Sequence, residues 1–98
     1  MYFAVYCLDK DDGLARRTAT RPAHVDYLNS LGSRLKLAGA LLDDAGENPV
    51  GSLLIIEADT LEEARKLAAG DPYGGADVFK SVTVRPWRKF IGEWLEGV

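Results

Sequence analysis

The sequence contains one cysteine and one histidine in 98 residues. A single cysteine forbids an internal disulfide. Because Cys7 sits within an apolar run, it reads as a buried thiol of a reducing, intracellular compartment. One His and one Cys do not make up a typical zinc ligand set, so no metal site is expected. There is no charged start followed by an apolar run and cleavage site, and no apolar stretch approaches membrane length. The chain starts directly on strand-like sequence and reads as one complete cytoplasmic domain, residues 1–98, without membrane association. Concentrated positive charge is absent too: 12 Lys and Arg stand against 15 Asp and Glu, a net charge of −3. That balance argues against a nucleic-acid surface, which needs a concentrated basic face. No Gly-rich phosphate cradle or dinucleotide fingerprint occurs, so no cofactor is expected. Repeats, linkers and low-complexity segments are lacking as well.

The composition is 47% apolar, enough for a single core without disulfide support. Tyr2 to Leu8 is a continuous apolar run with aromatic and β-branched members, a first strand. The polar turn Asp9-Lys10-Asp11-Asp12-Gly13 follows. Its carboxylates lack the remaining ligands of a calcium loop, so it reads as a solvated acidic turn. Arg16, Arg17 and Arg21 come next, either as a solvated loop or as cations able to hold a carboxylate, phenolate or phosphate. Pro22 reads as the first residue of a helix with Arg21 as its cap, since proline there has a preset φ and loses no needed N–H. The helix is expected from Pro22 to roughly Lys36, with Gly32 a weak point.

Leu37 to Leu42 reads as a second strand, Asp43 to Pro49 as a polar loop, and Gly51 to Ala58 as a third strand. Thr60-Leu61-Glu62-Glu63 is a capping box, which predicts a second helix over about Leu61 to Ala69 with Gly70 as its C′ stop. Asp71-Pro72-Tyr73 is a fixed elbow, Ala76 to Phe79 a short bridge, and Lys80 to Trp87 a fourth strand. In the tail, Phe90, Ile91, Trp94 and Leu95 make an apolar patch at helical spacing. The order β-α-β-β-α-β is the split arrangement of a ferredoxin-like α+β fold, with two helices on one face of an antiparallel sheet. The other face is not polar: Tyr2, Ala4 and Tyr6 alternate with Phe3, Val5 and Cys7, and Leu54 and Ile56 with Leu53 and Ile55. Strands wetted on one side should alternate more cleanly. A homodimer packed sheet face to sheet face is therefore expected.

His24 falls in line with Leu28, Leu31 and Leu35, at the first turn of the expected helix and on its buried stripe. It is either a satisfied core group or a titratable ring at the mouth of an apolar face. Asp71 follows the second helix. A loop reaching across the sheet edge would bring its carboxylate to the imidazole, where it would orient the ring and stabilise its charge, the base-plus-orienter half of a catalytic triad. The helix N-terminus would oppose that charge, and direct carboxylate contact would outweigh it.

Five segments carry a family resemblance over nearly the whole chain. They are Arg21-Pro22-Ala23-His24, Leu37-Ala38-Gly39, Gly51-Ser52, Asp71-Pro72-Tyr73 and Val84-Arg85-Pro86-Trp87. In this order they resemble the YciI-like (YCII-related) family. The resemblance implies a dimeric α/β barrel of ferredoxin-like subunits with a pocket around a His–Asp pair. Carried onto this chain, the pair is His24 and Asp71, with Arg21, Ser52 and Tyr73 as neighbours. Most of the family has no assigned reaction, and one similar member takes part in aromatic-compound breakdown as a dechlorinase. The loop Asp43-Asp44-Ala45-Gly46-Glu47-Asn48-Pro49 is short and acidic where relatives vary, so no substrate is carried over.

The expected function is a small cofactor-independent enzyme. His24 would serve as general acid or base, Asp71 would orient it, and Arg21 with Arg16 would neutralise an anionic or enolic substrate. Lyase, isomerase or dehalogenase chemistry on a small, anionic or aromatic compound fits that set. The alternative is a non-catalytic dimeric binding or accessory protein. Each residue also has a plainer reading: Ser52 as a turn residue with no nucleophile elbow, Tyr73 as a packed ring, and Arg85 as an interface ion pair. Trp87 and Trp94 likewise read as interface area, and Cys7 as a small apolar residue.

Overall fold

A computed structural model describes residues 1–93. Strand β1 is Tyr2–Asp9, helix α1 Leu14–Ser30, strand β2 Leu35–Leu42 and strand β3 Pro49–Glu57. Helix α2 covers Leu61–Ala69, the one-turn helix α3 Pro72–Gly75, and strand β4 Phe79–Trp87. The strands form one sheet in the order β2-β3-β1-β4, and all three neighbouring pairs are antiparallel. This is the ferredoxin-like α+β arrangement.

Period-two alternation in β1 sends Phe3, Val5, Cys7 and Asp9 to the helix side, where all four are buried. Leu54 and Ile56 of β3 pair with Val5 and Phe3 and share that side. Leu28 of α1 and Ala64 of α2 close the core over them. On the opposite face the register places Leu53 beside Tyr6 and Trp87 beside Tyr2. Tyr6, Leu53 and Trp87 remain 44%, 36% and 36% exposed there. No helix among the described residues is long and apolar enough to cross a membrane.

The first helix begins eight positions before the expected Pro22, at Leu14. The turn at Lys10–Gly13 makes this possible. Gly13 N–H donates to the Lys10 carbonyl at 2.9 Å, and Arg17 N–H donates to the Gly13 carbonyl at 2.8 Å, opening the helix. A Cβ on Gly13 would lie 3.0 Å from the Lys10 carbonyl and 3.1 Å from that of Val78, so glycine permits the close approach. Pro22 consequently lies inside α1, Arg21 is not a cap, and His24 is in the third turn. An internal proline costs about 3 kcal/mol through a lost hydrogen bond and a steric clash. Burial of Arg17 ahead of it and of His24 and Leu28 behind it anchors the helix on both sides.

The helix also ends earlier than expected. Gly32, at φ +57°, opens a single 3-10 turn through Arg34, and β2 starts at Leu35. Helix α2 has its expected bounds, and Thr60 Oγ1 accepts from Glu63 N–H at 3.1 Å. Gly70 caps it in a right-handed conformation, φ −76°, in place of the left-handed stop. Residues Arg88 to Glu93 are not helical, so Phe90 and Ile91 do not form a helical patch. Trp94 and Leu95 lie outside the described residues.

Candidate active site

Topology brings the two halves of the site together. β1 and β4 are antiparallel neighbours, so the exit from β1 and the entry to β4 share one end of the sheet. Asp9 pairs with Phe79 there, and Lys10 N–H donates to the Val78 carbonyl at 2.8 Å. The start of α1 and the segment after α2 therefore meet without any loop reaching across the edge.

The elbow after α2 becomes helix α3. Asp71 is its cap, with Oδ1 accepting from Tyr73 N–H at 2.9 Å and Pro72 at the first position. The proline-start signal assigned to Pro22 thus belongs to Pro72. The same Oδ1 lies 2.8 Å from His24 Nδ1. An oxygen that accepts the Tyr73 amide proton is an acceptor, so Nδ1 carries the hydrogen in this pair. Nε2 is then the basic nitrogen of the neutral ring, and it has no hydrogen-bond partner among the described residues. Asp71 is 3% exposed, and its Oδ2 is buried without a partner among those residues.

Tyr73 stacks on the imidazole with ring centroids 3.9 Å apart and planes 15° from parallel. The Arg17 guanidinium carbon lies 4.5 Å from the Tyr73 centroid. Arg17 and His24 are two turns apart on one face of α1, about 10 Å of helix rise, and the Tyr73 ring fills the interval. Phe79 meets Tyr73 edge-on at 5.8 Å. Burial pushes the Tyr73 phenol above its ordinary range, and the Arg17 and Arg21 charges pull it partly back.

Arg17 is 5% exposed and held through its Nε and Nη2. Its Nε and Nη2 donate to the two carboxylate oxygens of Asp9 at 2.7 and 3.1 Å, and Nη2 also donates to Ser52 Oγ at 2.7 Å. Burial opposes the arginine charge, but Asp9 outweighs it and the guanidinium is held above its usual range. In the sequence Arg17 reads, with Arg16 and Arg21, as a cation able to hold an anion, but not as one of the site residues, and its burial against Asp9 is not expected. Two signals in the sequence point to them. Asp9 continues the inward alternation of Phe3, Val5 and Cys7, and Arg17 lies seven residues before His24, on the same face of a helix that starts early enough.

A cavity of about 380 Å³ opens beside this cluster. Arg17, Arg21, His24, Ser52 and Tyr73 line its polar side. Leu28, Leu35 and Leu54 form an apolar wall, and Ala38, Gly39 and Ala40 of β2 leave room opposite. The volume suits a small molecule. Of the expected residues, His24, Asp71, Arg21, Ser52 and Tyr73 are brought together here. Arg16 is not: it is half-exposed outside the cavity lining, donating to Asp12 at 3.0 Å and to the Asp77 carbonyl at 3.2 Å. The one-residue helical step from Arg17 turns it outward. A larger hollow of about 540 Å³ between α2 and β4 has Arg65 and Arg85 but none of these groups. Among the described residues, no three His, Cys, Asp or Glu side chains gather as metal ligands would.

The sequence profile of the YCII-related domain family matches residues 1–88. The chain belongs to this family. As a YCII-related protein it is 36% identical to Protein YciI of Escherichia coli, over 91% of this chain and 98% of that one. An uncharacterized protein of Haemophilus influenzae is also 36% identical, with the same two coverages. Among solved structures, the YCII-related chain is similar to the 5-chloro-2-hydroxyhydroquinone dehydrochlorinase of Burkholderia phenoliruptrix, in complex with 2,5-dihydroxybenzoquinone. The TM-score is 0.85 at 28% identity, over 90% of this chain and 94% of that chain.

Proposed function

We propose that this protein is a small acid–base enzyme acting on a single-ring compound with ionisable oxygens. The observation that carries this reading is the 2.8 Å contact between His24 Nδ1 and Asp71 on the wall of a 380 Å³ cavity. With Nδ1 committed to the carboxylate, Nε2 is the nitrogen left to exchange a proton with a bound molecule. Asp71 then balances the imidazolium that forms, and Arg21 at the cavity offers charge to an anionic ring. Positioned acid–base assistance of this kind contributes roughly 10²–10⁴-fold. Similarity to a dehydrochlorinase supports loss of hydrogen halide from a halogenated hydroquinone. One hydroxyl proton moves to the halogen-bearing carbon, then the halide leaves as the second hydroxyl gives up its proton and the ring becomes a quinone. No cofactor enters this reading, and the outward sheet face completes it as the contact surface of a homodimer.

The test is a screen of halogenated hydroquinones for halide release, and of hydroxyquinones for carbon-bound proton exchange in D₂O, with wild type and His24→Ala. Turnover that disappears in the variant supports the reading. Turnover that survives it removes His24 from the chemistry. Tight ligand binding with no reaction in either protein would favour the binding-module alternative.

A further inference from the structure

We infer that Ser52 is the specificity-determining residue of the cavity, a hydroxyl held so that its proton meets a negatively charged oxygen of the ligand; this rests on the reading of the cavity as a small-molecule site. A serine hydroxyl has one proton to donate and two lone pairs. One lone pair of Ser52 Oγ is taken by Arg17 Nη2 at 2.7 Å. A cationic donor at that distance polarises the O–H and directs its hydrogen away from the arginine.

The hydrogen has no acceptor among the described residues. Ser52 lies in a strand paired on both sides, opposite Cys7 and Ala40, so the nearby backbone carbonyls are engaged in the ladders. The residue is 2% exposed, yet it lines the cavity. A buried donor without an acceptor is costly, and the cavity is where an acceptor can arrive.

Charge accounting sharpens the ligand class. The Arg17 charge is balanced by both oxygens of Asp9, so through Ser52 the cavity receives an oriented dipole and little net charge. Arg16 is committed to Asp12. Arg21, one turn beyond Arg17 and lining the same cavity, has no ion pair among the described residues. The site therefore presents one fixed neutral donor and, among the described residues, one cation without an ion pair against an apolar wall. That set fits a planar ring carrying a phenolate-type or enolate-type oxygen, which the donor locates and the cation neutralises. An engineered cavity of about 150 Å³ accepts benzene, so 380 Å³ holds a ring with several oxygen substituents.

The experiment measures calorimetric binding of 2,5-dihydroxybenzoquinone and of 2,5-dimethoxybenzoquinone, which keeps the ring and lacks the ionisable hydroxyls. Wild type should prefer the dihydroxy compound. Ser52→Ala should weaken that compound roughly 10- to 100-fold, the scale of a hydrogen bond to a charged group, and leave the dimethoxy compound within about twofold. Ser52→Cys keeps the shape with a weak donor and should lose affinity similarly, whereas Ser52→Thr should retain the preference. If the alanine variant does not fold, the cysteine and threonine pair carries the test. Equal binding of the dihydroxy compound by wild type and the donor-poor variants would overturn the inference, as would wild type binding neither quinone. The acid–base reading fails separately, if His24→Ala retains turnover while Ser52→Ala still loses affinity.

Discussion

The ring of Tyr73 lies flat on that of His24, with centroids 3.9 Å apart and planes 15° from parallel. This contact holds the imidazole from the side, while Asp71 holds it in the ring plane at Nδ1. Tyr73 is 1% exposed and packs against Arg17 and Phe79 as well. Tyr73→Phe keeps the stack and should cost less than about 1.5 kcal/mol. Tyr73→Ala leaves a void beside His24 and should cost about 3–5 kcal/mol. Urea unfolding of the two variants measures both, and similar losses would show that the phenol hydroxyl, not the ring, supplies the stability.

The carboxylate of Asp71 can be separated from its shape. Asp71→Asn preserves an oxygen acceptor for the Tyr73 amide and for Nδ1, but it removes the charge that balances a protonated ring. Turnover should fall by about 10²–10⁴-fold, the scale of proton-transfer assistance and of an orienting aspartate in a triad. Affinity for 2,5-dihydroxybenzoquinone should change by only a few-fold. Kinetics and calorimetry on one preparation check the split. A loss confined to affinity would make Asp71 part of ligand binding and remove it from the proton step.

The Arg17–Asp9 pair makes a sharper stability prediction than any surface ion pair. Both side chains are nearly enclosed, at 6% and 5% exposure, and two hydrogen bonds join them. Removing one partner strands a buried charge, so Asp9→Asn or Arg17→Met should each cost about 3–5 kcal/mol. The double replacement should cost less than the sum of the two, because no charge is then left unpaired. A double-mutant cycle by urea unfolding measures the coupling, and additive losses would show that the pair is not energetically joined.

How far these groups can be read from the chain depends on what sets each element. β1, β3, β4 and α2 are legible because their signals are local: apolar runs for the strands and the Thr60 capping box for the helix. The antiparallel sheet follows from their order. The start of α1 is not local. It depends on Gly13 fitting between the carbonyls of nearby Lys10 and of Val78, which is distant in sequence. With a helix expected only from Pro22, Arg17 reads as a loop residue and Asp9 as part of a solvated turn, and the buried network between them has no local signal. The meeting of His24 and Asp71 is legible because it depends on the elbow at Pro72 and on the segments that carry the family resemblance, which do not change with the helix bounds. Arg16 lies outside the cavity lining because neighbouring arginines on a helix face different ways, and only the position of the helix start shows which one turns inward.

Cys7 gives a pH prediction. Burial, with the Asp71 charge adding to it, pushes its thiol from the ordinary 9.0 up to about 12. A raised folded pKa means that the proton is retained in the folded state after the unfolded chain has lost it. The associated stability is thus complete below pH 9 and is lost progressively as pH rises toward 12. Tyr27 and Tyr73 are also shifted upward by burial and share in the alkaline loss. The difference between wild type and Cys7→Ala isolates the thiol: the gap in unfolding free energy should narrow between pH 9 and 11. At pH 8 a thiol reagent should label the folded protein only as fast as it opens, and the urea-unfolded chain at once. Prompt labelling of the folded protein would contradict this burial.

The outward face of the sheet tests the homodimer. Tyr6 and Leu53 sit opposite one another on the adjacent strands β1 and β3, both partly exposed, with Trp87 toward one end. Sheets pack face to face at about 10 Å, so a second sheet would cover this patch without disturbing the helix-side cavity. In a twofold assembly every substitution appears twice across the interface, which amplifies a like-charge clash. Leu53→Arg should therefore convert the dimer to monomer in sedimentation equilibrium at micromolar concentrations, with α1, α2 and the sheet retained by circular dichroism. The isolated monomer should keep the His24–Asp71 contact, because both residues come from one chain. A wild-type protein that already sediments as a monomer would rule out the face-to-face dimer, and the catalytic reading would stand on the single chain.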